Sequence, residues 1–499
     1  MRKKIYIGVL VLAALGFSSC NDWLDVRPET EQKEDDQFSS YQGFCDAVTG
    51  MYMTMADRDI YGERLTMTNI ESLANLWSLD ATSTRYEDYN LELHDYDNVV
   101  YSQAAIKAIY AKLFNTIVQA NLIIKHAGTQ GGVINNPATR ATILGEAYGI
   151  RAYCQLDLLR LFGQVPGGTT QVSLPYSETT GIDEIPRYYN FEEYVGKLES
   201  DIQMAESLLK DNDPVFQYSF SELNSYPDGV DEFMYYRQSR MNYWAVKALE
   251  ARMRLYVGDK AGAYEAAREV IDATLNGSPV MTMSGASDFA NGYKLCPNEC
   301  LFYLSKYDVM DYSQSFLVGD QQAEMGDSQN AYATSTSLGI TEAQWNELFS
   351  GCNPNSNNRM LYCWATARDN FGQNMYVTDK YYWNPNVGNQ MLCFQLIPML
   401  RMSEMCLIAM ETTTDLSEAN SLYRDYMLAH GEASATPFAS LEERDAFILN
   451  EYRREFFAEG QMFYTYKRLN ASTMMWREEP VAESEYVLPL PTTEYNPNL

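Results

Sequence analysis

The chain is poor in the groups that most enzymes use to move protons and that most metal sites use as ligands. Among its 499 residues there are three histidines, His94, His126 and His430. They form no His-Glu-x-x-His pair and no three-histidine set, so histidine base chemistry and zinc hydrolysis are poorly provided for. There is no Gly-x-Ser-x-Gly elbow and no phosphate-cradling Gly-Lys-Ser/Thr loop, which removes two further enzyme classes. Positive charge is also short, with 37 Lys and Arg against 67 Asp and Glu and a formal net charge of −30. A surface of that sign repels phosphate backbones, so nucleic acid is not an expected partner. Cysteine is sparse for a disulfide scaffold. Cys296-Pro-Asn-Glu-Cys300 has a spacing that suits a disulfide or half of a metal site, but no second pair completes four ligands. Cys154 and Cys406 sit within apolar helical patterns and are expected to be buried thiols. No cofactor or metal is expected.

Long apolar runs are missing after the first twenty residues, where no later stretch approaches the 18 or so needed to span a bilayer. The N-terminus itself reads as a secretion signal. Arg2, Lys3 and Lys4 precede the apolar run Ile5–Leu15, which is too short to cross a hydrocarbon core of roughly 30 Å. Ser18-Ser19-Cys20 then resembles a bacterial lipoprotein box. The expectation is a signal peptide over residues 1–19 and acylation at Cys20, since two or three acyl chains anchor a protein firmly. The polar stretch after it is expected to be an extended tether to about Gln37, docked by Trp23 and Leu24.

What the chain has in quantity is helical periodicity. Ile106, Tyr110, Leu113, Ile117, Ala120 and Ile124 line one helical face, and Gly128 with Gly131-Gly132 ends it. Ile143, Ala147, Ile150, Cys154, Leu158 and Leu161 line a second, ending at Gly163. A weaker pattern covers 191–209. In 240–275, Trp244, Ala248, Ala251 and Leu255 face Ala263, Ala266, Val270 and Ala273 across a Gly258-Asp259 turn. Small residues at that contact let two antiparallel helices approach, as in a tetratricopeptide-type pair, which needs neighbours to cover its other faces. Further helices are expected at 397–411 and 441–459. The fold class is therefore mostly α, a tetratricopeptide-like helix-pair scaffold in one domain over residues 20–499. Its helical N-terminal half is 20–275, and a C-terminal helical part with a tail is 393–499.

Between them, 276–392 loses its periodicity and fills with Gly, Asn, Ser and aromatic residues. Long irregular segments on a rigid scaffold commonly carry binding. Residues 77–101 form a second such region. With 38 Tyr and seven Trp in the chain, flat rings with polar edges are available to stack on a ligand. The candidate contacts are Trp77, Arg85, Tyr86 and Tyr89 from the first region and Tyr312, Trp345 and Trp364 from the second.

Several segments in order resemble the SusD/RagB family of Bacteroidota outer-membrane lipoproteins. They are Cys20-Asn-Asp-Trp-Leu-Asp25 with Pro28, and Ala47-Val-Thr-Gly-Met-Tyr52. Gly145-Glu-Ala-Tyr-Gly-Ile-Arg-Ala-Tyr153 running to Leu161-Phe-Gly-Gln-Val-Pro166 follows, then Arg401-Met-Ser-Glu404. The last are Glu451-Tyr-Arg-Arg-Glu-Phe-Phe-Ala-Glu-Gly460 with Tyr466-Lys-Arg468, and Leu488-Pro-Leu-Pro491 with Glu494 and Asn496-Pro497. Thr465 departs from that family's usual acidic residue, and the stretch after Met410 lacks its usual Asn-Glu-Ala-Arg-like run. The resemblance implies a lipid-anchored outer-membrane protein facing the cell exterior. It would bind oligosaccharide nutrient or, in some members, peptide, and act with a TonB-dependent SusC/RagA-like transporter. It carries no fixed set of ligand contacts.

An enzyme is the competing reading. A secreted glycosidase needs two carboxylates about 5–10 Å apart across a cleft, and Glu455 and Glu459 have a compatible spacing. Those two are instead expected to pair with Arg453, Arg454, Lys467 or Arg468. Binding rather than catalysis is the expectation.

Overall fold

The computed structural model describes residues 34–181, 184–317, 338–368, 372–382 and 395–494. The signal segment, Cys20, Trp23 and Leu24 lie outside the described residues. At the end of the expected tether, Glu34–Gln37 is a helical turn rather than extended chain, and Glu34 pairs with Lys125 and His126.

Ten helices carry the scaffold: α1 (Tyr41–Met55), α2 (Ser102–Thr129), α3 (Pro137–Phe162), α4 (Phe191–Leu209), α5 (Tyr243–Val257), α6 (Lys260–Ile271), α7 (Met402–Thr412), α8 (Leu416–Ala429), α9 (Leu441–Glu455) and α10 (Met462–Arg468). From α1 to α8 each packs on the next in the chain, so every pair covers the face its neighbour leaves open. Local chemistry marks the ends. Asn136 caps α3 by accepting from the Ala138 and Thr139 amides, with Pro137 in the first turn. Gly258 adopts the left-handed conformation at the end of α5, and the Asp259 side chain caps α6. Along α3, a methyl at Gly145 would meet Leu209 at 2.6 Å and one at Gly149 would meet Met241 at 2.5 Å. A larger residue at either position would have to displace Leu209 of α4 or Met241, just before α5.

The expected helix at 397–411 needs correction. Residues Leu396–Arg401 are a strand, β4, paired antiparallel with β1 (Cys300–Ser305), and the helix begins only at Met402. A run buried on every side has no period to betray it, and Pro398 would have interrupted a helix. A second hairpin joins β2 (Trp364–Arg368) to β3 (Asn374–Thr378). The 276–392 region also contains short helices over Val309–Leu317, Glu342–Leu348 and Asn358–Tyr362. Cys154 and Cys406 are buried thiols as expected. Cys296 and Cys300 are also free and buried, and the described residues hold no group of side chains suited to a metal ion.

A buried ion network joins this region to the C-terminus. Arg401 donates to Glu299 at 2.5 Å, Glu455 at 2.7 Å and Glu459 at 2.9 Å. Arg359 bonds to Glu451 and, at 2.8 Å, to Glu455, while Lys380 donates to Glu459 at 2.6 Å. Arg454 closes it on Glu451 at 2.8 Å. Hence Glu455 and Glu459 are paired, but not with the partners expected from the sequence. Of those, Arg468 holds Glu411 and Lys467 donates to the carbonyls of Leu161 and Gly163. The neighbouring cations hold the Glu455 carboxyl well below the usual range and Glu451 down to about 2, against the opposing effect of burial.

Replacing Arg401 by Met removes the cation shared by three buried carboxylates. Loss of one member of such a cluster costs about 3–5 kcal/mol, so urea unfolding of Arg401→Met is expected to show a midpoint far below wild type. A midpoint within experimental scatter would contradict the role given to the network.

Glu71, on the short helix Asn69–Leu73, is a different case. Its carboxyl is fully buried, with one oxygen accepting from the Gly460 amide at 2.7 Å and the other unpartnered. Burial pushes it up to about 8. An acid raised above its unfolded value of about 4.3 favours folding below that value. The contribution is then lost as pH rises through about 8. Glu71→Gln is therefore expected to stabilise the chain on the order of 2 kcal/mol at pH 8 and to do little at pH 4. Thermal melts across that range should show the two curves diverging as pH rises; parallel curves would count against a protonated Glu71.

Candidate functional site

The two irregular regions named from the sequence meet on one face. The Ser78 amide donates to the Gly339 carbonyl at 2.9 Å, the Leu338 amide to Phe316, and Ile340 bridges to Tyr376. The segment at Ser78 is thereby laced to 338–340, and through them to Phe316 and Tyr376.

Two arginine-on-ring contacts lie along that seam. Arg58 stands 4.5 Å over the Tyr312 ring and Arg85 5.1 Å over Phe316. Glu63 orients both, bonding the Arg58 Nε at 2.6 Å and lying 3.7 Å from Arg85, which also donates to Asp88 at 2.6 Å. Arg58 is half exposed at its side chain, so part of its donor fork faces water. A guanidinium stacked on a ring and fixed by a carboxylate is held in orientation without losing its outward donors.

Beside this seam runs a continuous ladder of rings. Trp77 packs edge-on to Phe457 at 5.0 Å, Phe457 lies 4.8 Å from Trp364, and Trp364 lies 6.0 Å from Phe349. Phe349 is 5.3 Å from Trp345, which stacks on Tyr376 at 4.6 Å and 18°. The ladder begins in the core and ends at the half-buried Trp345, Trp364 and Tyr376.

The seven candidates are thus sorted by position. Trp345, Trp364 and Arg85 lie partly open along the assembled face. Trp77 is 1% exposed, and its indole N–H donates to the Met67 carbonyl at 3.2 Å; it is a core residue and presents no face to a ligand, which corrects the expectation. Tyr312 is buried as well, its hydroxyl donating to the Gly62 carbonyl, so its part is to seat Arg58 rather than to stack. Tyr86 is 52% exposed and stacks on Tyr101 at 5.5 Å, while Tyr89 is half-buried on the same short helix, Tyr86–Glu92. Sequence reading missed Arg58, Glu63, Phe316 and Tyr376. None stands out in a pattern of rings; each matters through a partner distant in the chain.

Among the described residues, the carboxylates with spacing for acid–base work are committed elsewhere. Glu455 and Glu459 are buried in ion pairs. Glu71 and Glu92 are both pushed up to about 8 by burial. Glu71 is sealed from solvent, however, and Glu92 packs near Asp88 and Arg477 rather than along the seam.

Residues 22–226 match the SusD-like family model described as starch-binding associating with outer membrane. SusD-like protein P2 of Formosa agariphila is 28% identical over 211 residues, which are 42% of this chain and 38% of that relative's length. A SusD superfamily protein from Bacteroides thetaiotaomicron superposes with a TM-score of 0.68 at 18% identity, over 91% of this chain and 97% of the other. A SusD-like carbohydrate binding protein from Bacteroides vulgatus gives 0.58 at 14% identity, over 86% and 83%. The distant structures speak for the helical fold, and the matched N-terminal segment is similar to the SusD-like family over residues 22–226.

Proposed function

We propose that this protein captures oligosaccharide outside the cell and passes it to a partner TonB-dependent outer-membrane transporter, while acyl chains on Cys20 hold it to the membrane. The observation that carries the reading is the fixing of the Arg58 and Arg85 guanidiniums on Tyr312 and Phe316, with the half-open Trp345–Tyr376 stack joined to that segment through the Leu338–Phe316 bond and the Ile340–Tyr376 bridge. A pyranose presents C–H groups from its faces and hydroxyls from its rim, so it needs a flat ring beside fixed donors. The family model's description and the printed name of the Bacteroides vulgatus protein agree with that ligand class. A few such contacts give affinities of about −4 to −8 kcal/mol, millimolar to micromolar, which suits capture followed by release. The same groups suit a peptide backbone, so a peptide is the second reading. A hydrolase is the third and has the least support, because the carboxylates with the right spacing are committed to buried cations.

Isothermal titration of the full chain against maltoheptaose, xylohexaose, mannohexaose and short peptides decides among them. The double variant Arg58→Ala/Trp345→Ala is expected to lose roughly tenfold or more in affinity, as removal of one stacking contact and one charged donor implies. Trp77→Phe should leave affinity unchanged and lower unfolding stability by about 1–3 kcal/mol. Unaltered affinity in the double variant, or release of product by the protein alone, would overturn the proposal.

A further inference from the structure

The segment Tyr226–Arg240, between α4 and α5, takes no part in the face described above and shares no residue with it, yet it is built at some cost. Tyr226 and Tyr236 both adopt left-handed backbone, with φ of 58° and 54°. For a bulky residue that conformation is unfavourable by on the order of 1 kcal/mol or more, and two instances fall within eleven residues. The strain is maintained from beneath. Arg237, the next residue, is 0% exposed and locked to Asp213 at 2.8 Å and Glu146 at 2.5 Å. Arg240 adds a second bond to Glu146 at 2.9 Å and stacks over Phe233 at 3.8 Å. Asp231 holds the Tyr41 hydroxyl at 2.8 Å.

What this anchoring presents is a group of phenols. Tyr226 is 61% exposed and stands edge-on to both Tyr235 and Tyr236, at 5.2 and 5.8 Å. The Tyr226 and Tyr236 hydroxyls bond to each other, which fixes the rings in one arrangement. The Ser239 hydroxyl donates to the Tyr236 carbonyl at 2.8 Å, and Ser239 also lines a cavity of about 300 Å³ walled by Tyr52, Met53, Phe233 and Arg240. That volume lies at the low end for ligand pockets, enough for one ring rather than a chain. Asp228 and Glu232 are exposed on the same segment and accept hydrogen bonds. Strain that the fold goes out of its way to maintain, coupled to exposed rings, is a mark of a binding surface.

We propose that Tyr226, Tyr235 and Tyr236 form a second saccharide contact site, in which ring faces stack on sugar C–H groups and the acidic side chains accept from sugar hydroxyls. The saccharide assignment rests on the function proposed above; the existence of a separate site does not draw on Arg58 or Trp345. Phenols and carboxylates with little aliphatic surface suit a hydroxylated ring better than the apolar centre of a protein partner.

The test uses Tyr226→Asn/Tyr236→Asn, because Asn tolerates left-handed backbone and keeps the loop's path. Its melting temperature is expected to equal or exceed that of wild type. Saturation-transfer NMR with maltoheptaose, xylohexaose and mannohexaose should show residual contact in Arg58→Ala/Trp345→Ala that disappears when the two Tyr→Asn changes are added. If contact is already lost in Arg58→Ala/Trp345→Ala and the Tyr→Asn pair alone changes nothing, the second site is overturned while the first stands. If wild type contacts none of the three sugars, the saccharide reading falls for both sites.

Discussion

The cluster of Glu299, Glu451, Glu455 and Glu459 with Arg359, Lys380, Arg401 and Arg454 is the constraint on which the proposed binding face depends. Its carboxylates come chiefly from the end of α9 and the turn after it, and its cations chiefly from the irregular region and the end of β4. Each charge buried there without its partner would be costly, so the partners must arrive together. From α1 to α8 each helix packs on the next in the chain. The 276–392 sequence has little periodic apolar pattern of its own. Its described parts are tied down where Arg359 and Lys380 reach the carboxylates of α9 and the turn after it, and Tyr426 of α8 with His430 just beyond it completes the hydrogen bonding around Glu455. The left-handed Ala458 and Gly460 turn Glu459 back toward Lys380 and Arg401.

The aromatic ladder rests on that foundation. Phe457, between two residues of the ionic turn, is the rung that joins buried Trp77 to Trp364. A ring offered to a weak ligand gains little affinity if it must first be ordered, since each side chain immobilised on binding costs about 0.5–1.5 kcal/mol. Fixing Trp345 and Trp364 through Phe349 and Phe457 meets that cost during folding. The outer rings are therefore held in place by Phe349 and Phe457, which are core.

This division explains what could be read from the sequence. The helices were legible because a periodic apolar face states its own requirement: Ile106 to Ile124 need a partner surface whatever the rest of the chain does, and α2 appears there. The pair α5–α6 was legible down to its Gly258-Asp259 turn. Strand β4 was not, because Leu396–Arg401 is buried on all sides and its pairing partner β1 lies far back in the chain. Composition marked both irregular regions, which the Ser78–Gly339 and Leu338–Phe316 bonds join, but ring type does not distinguish Trp77 from Trp345. Burial of the first is decided by Phe457, and openness of the second by where the β2–β3 hairpin ends. The same limit applies to Glu455 and Glu459, whose nearest arginines in sequence point elsewhere while Arg401 and Lys380 arrive from other elements.

The distribution of charge follows from the same architecture and bears on the ligand. The chain has few cations, and many of them are inside: Arg151, Arg160, Arg237, Arg252, Arg359, Arg401 and Arg454 are all buried, as are Lys380 and Lys467. Each is consumed in tying segments together, as Arg252 is with Glu404 and Arg151 with Asp201. Carboxylates outnumber cations almost two to one in the chain, so the surface that remains is strongly negative, and a polyanionic ligand approaching it would be repelled before reaching any contact. Arg58, half open beside Tyr312, is itself paired with Glu63. A surface of this kind admits neutral chains of hydroxylated rings and leaves recognition to stacking and short hydrogen bonds, which act only at contact and are little affected by the charge around them.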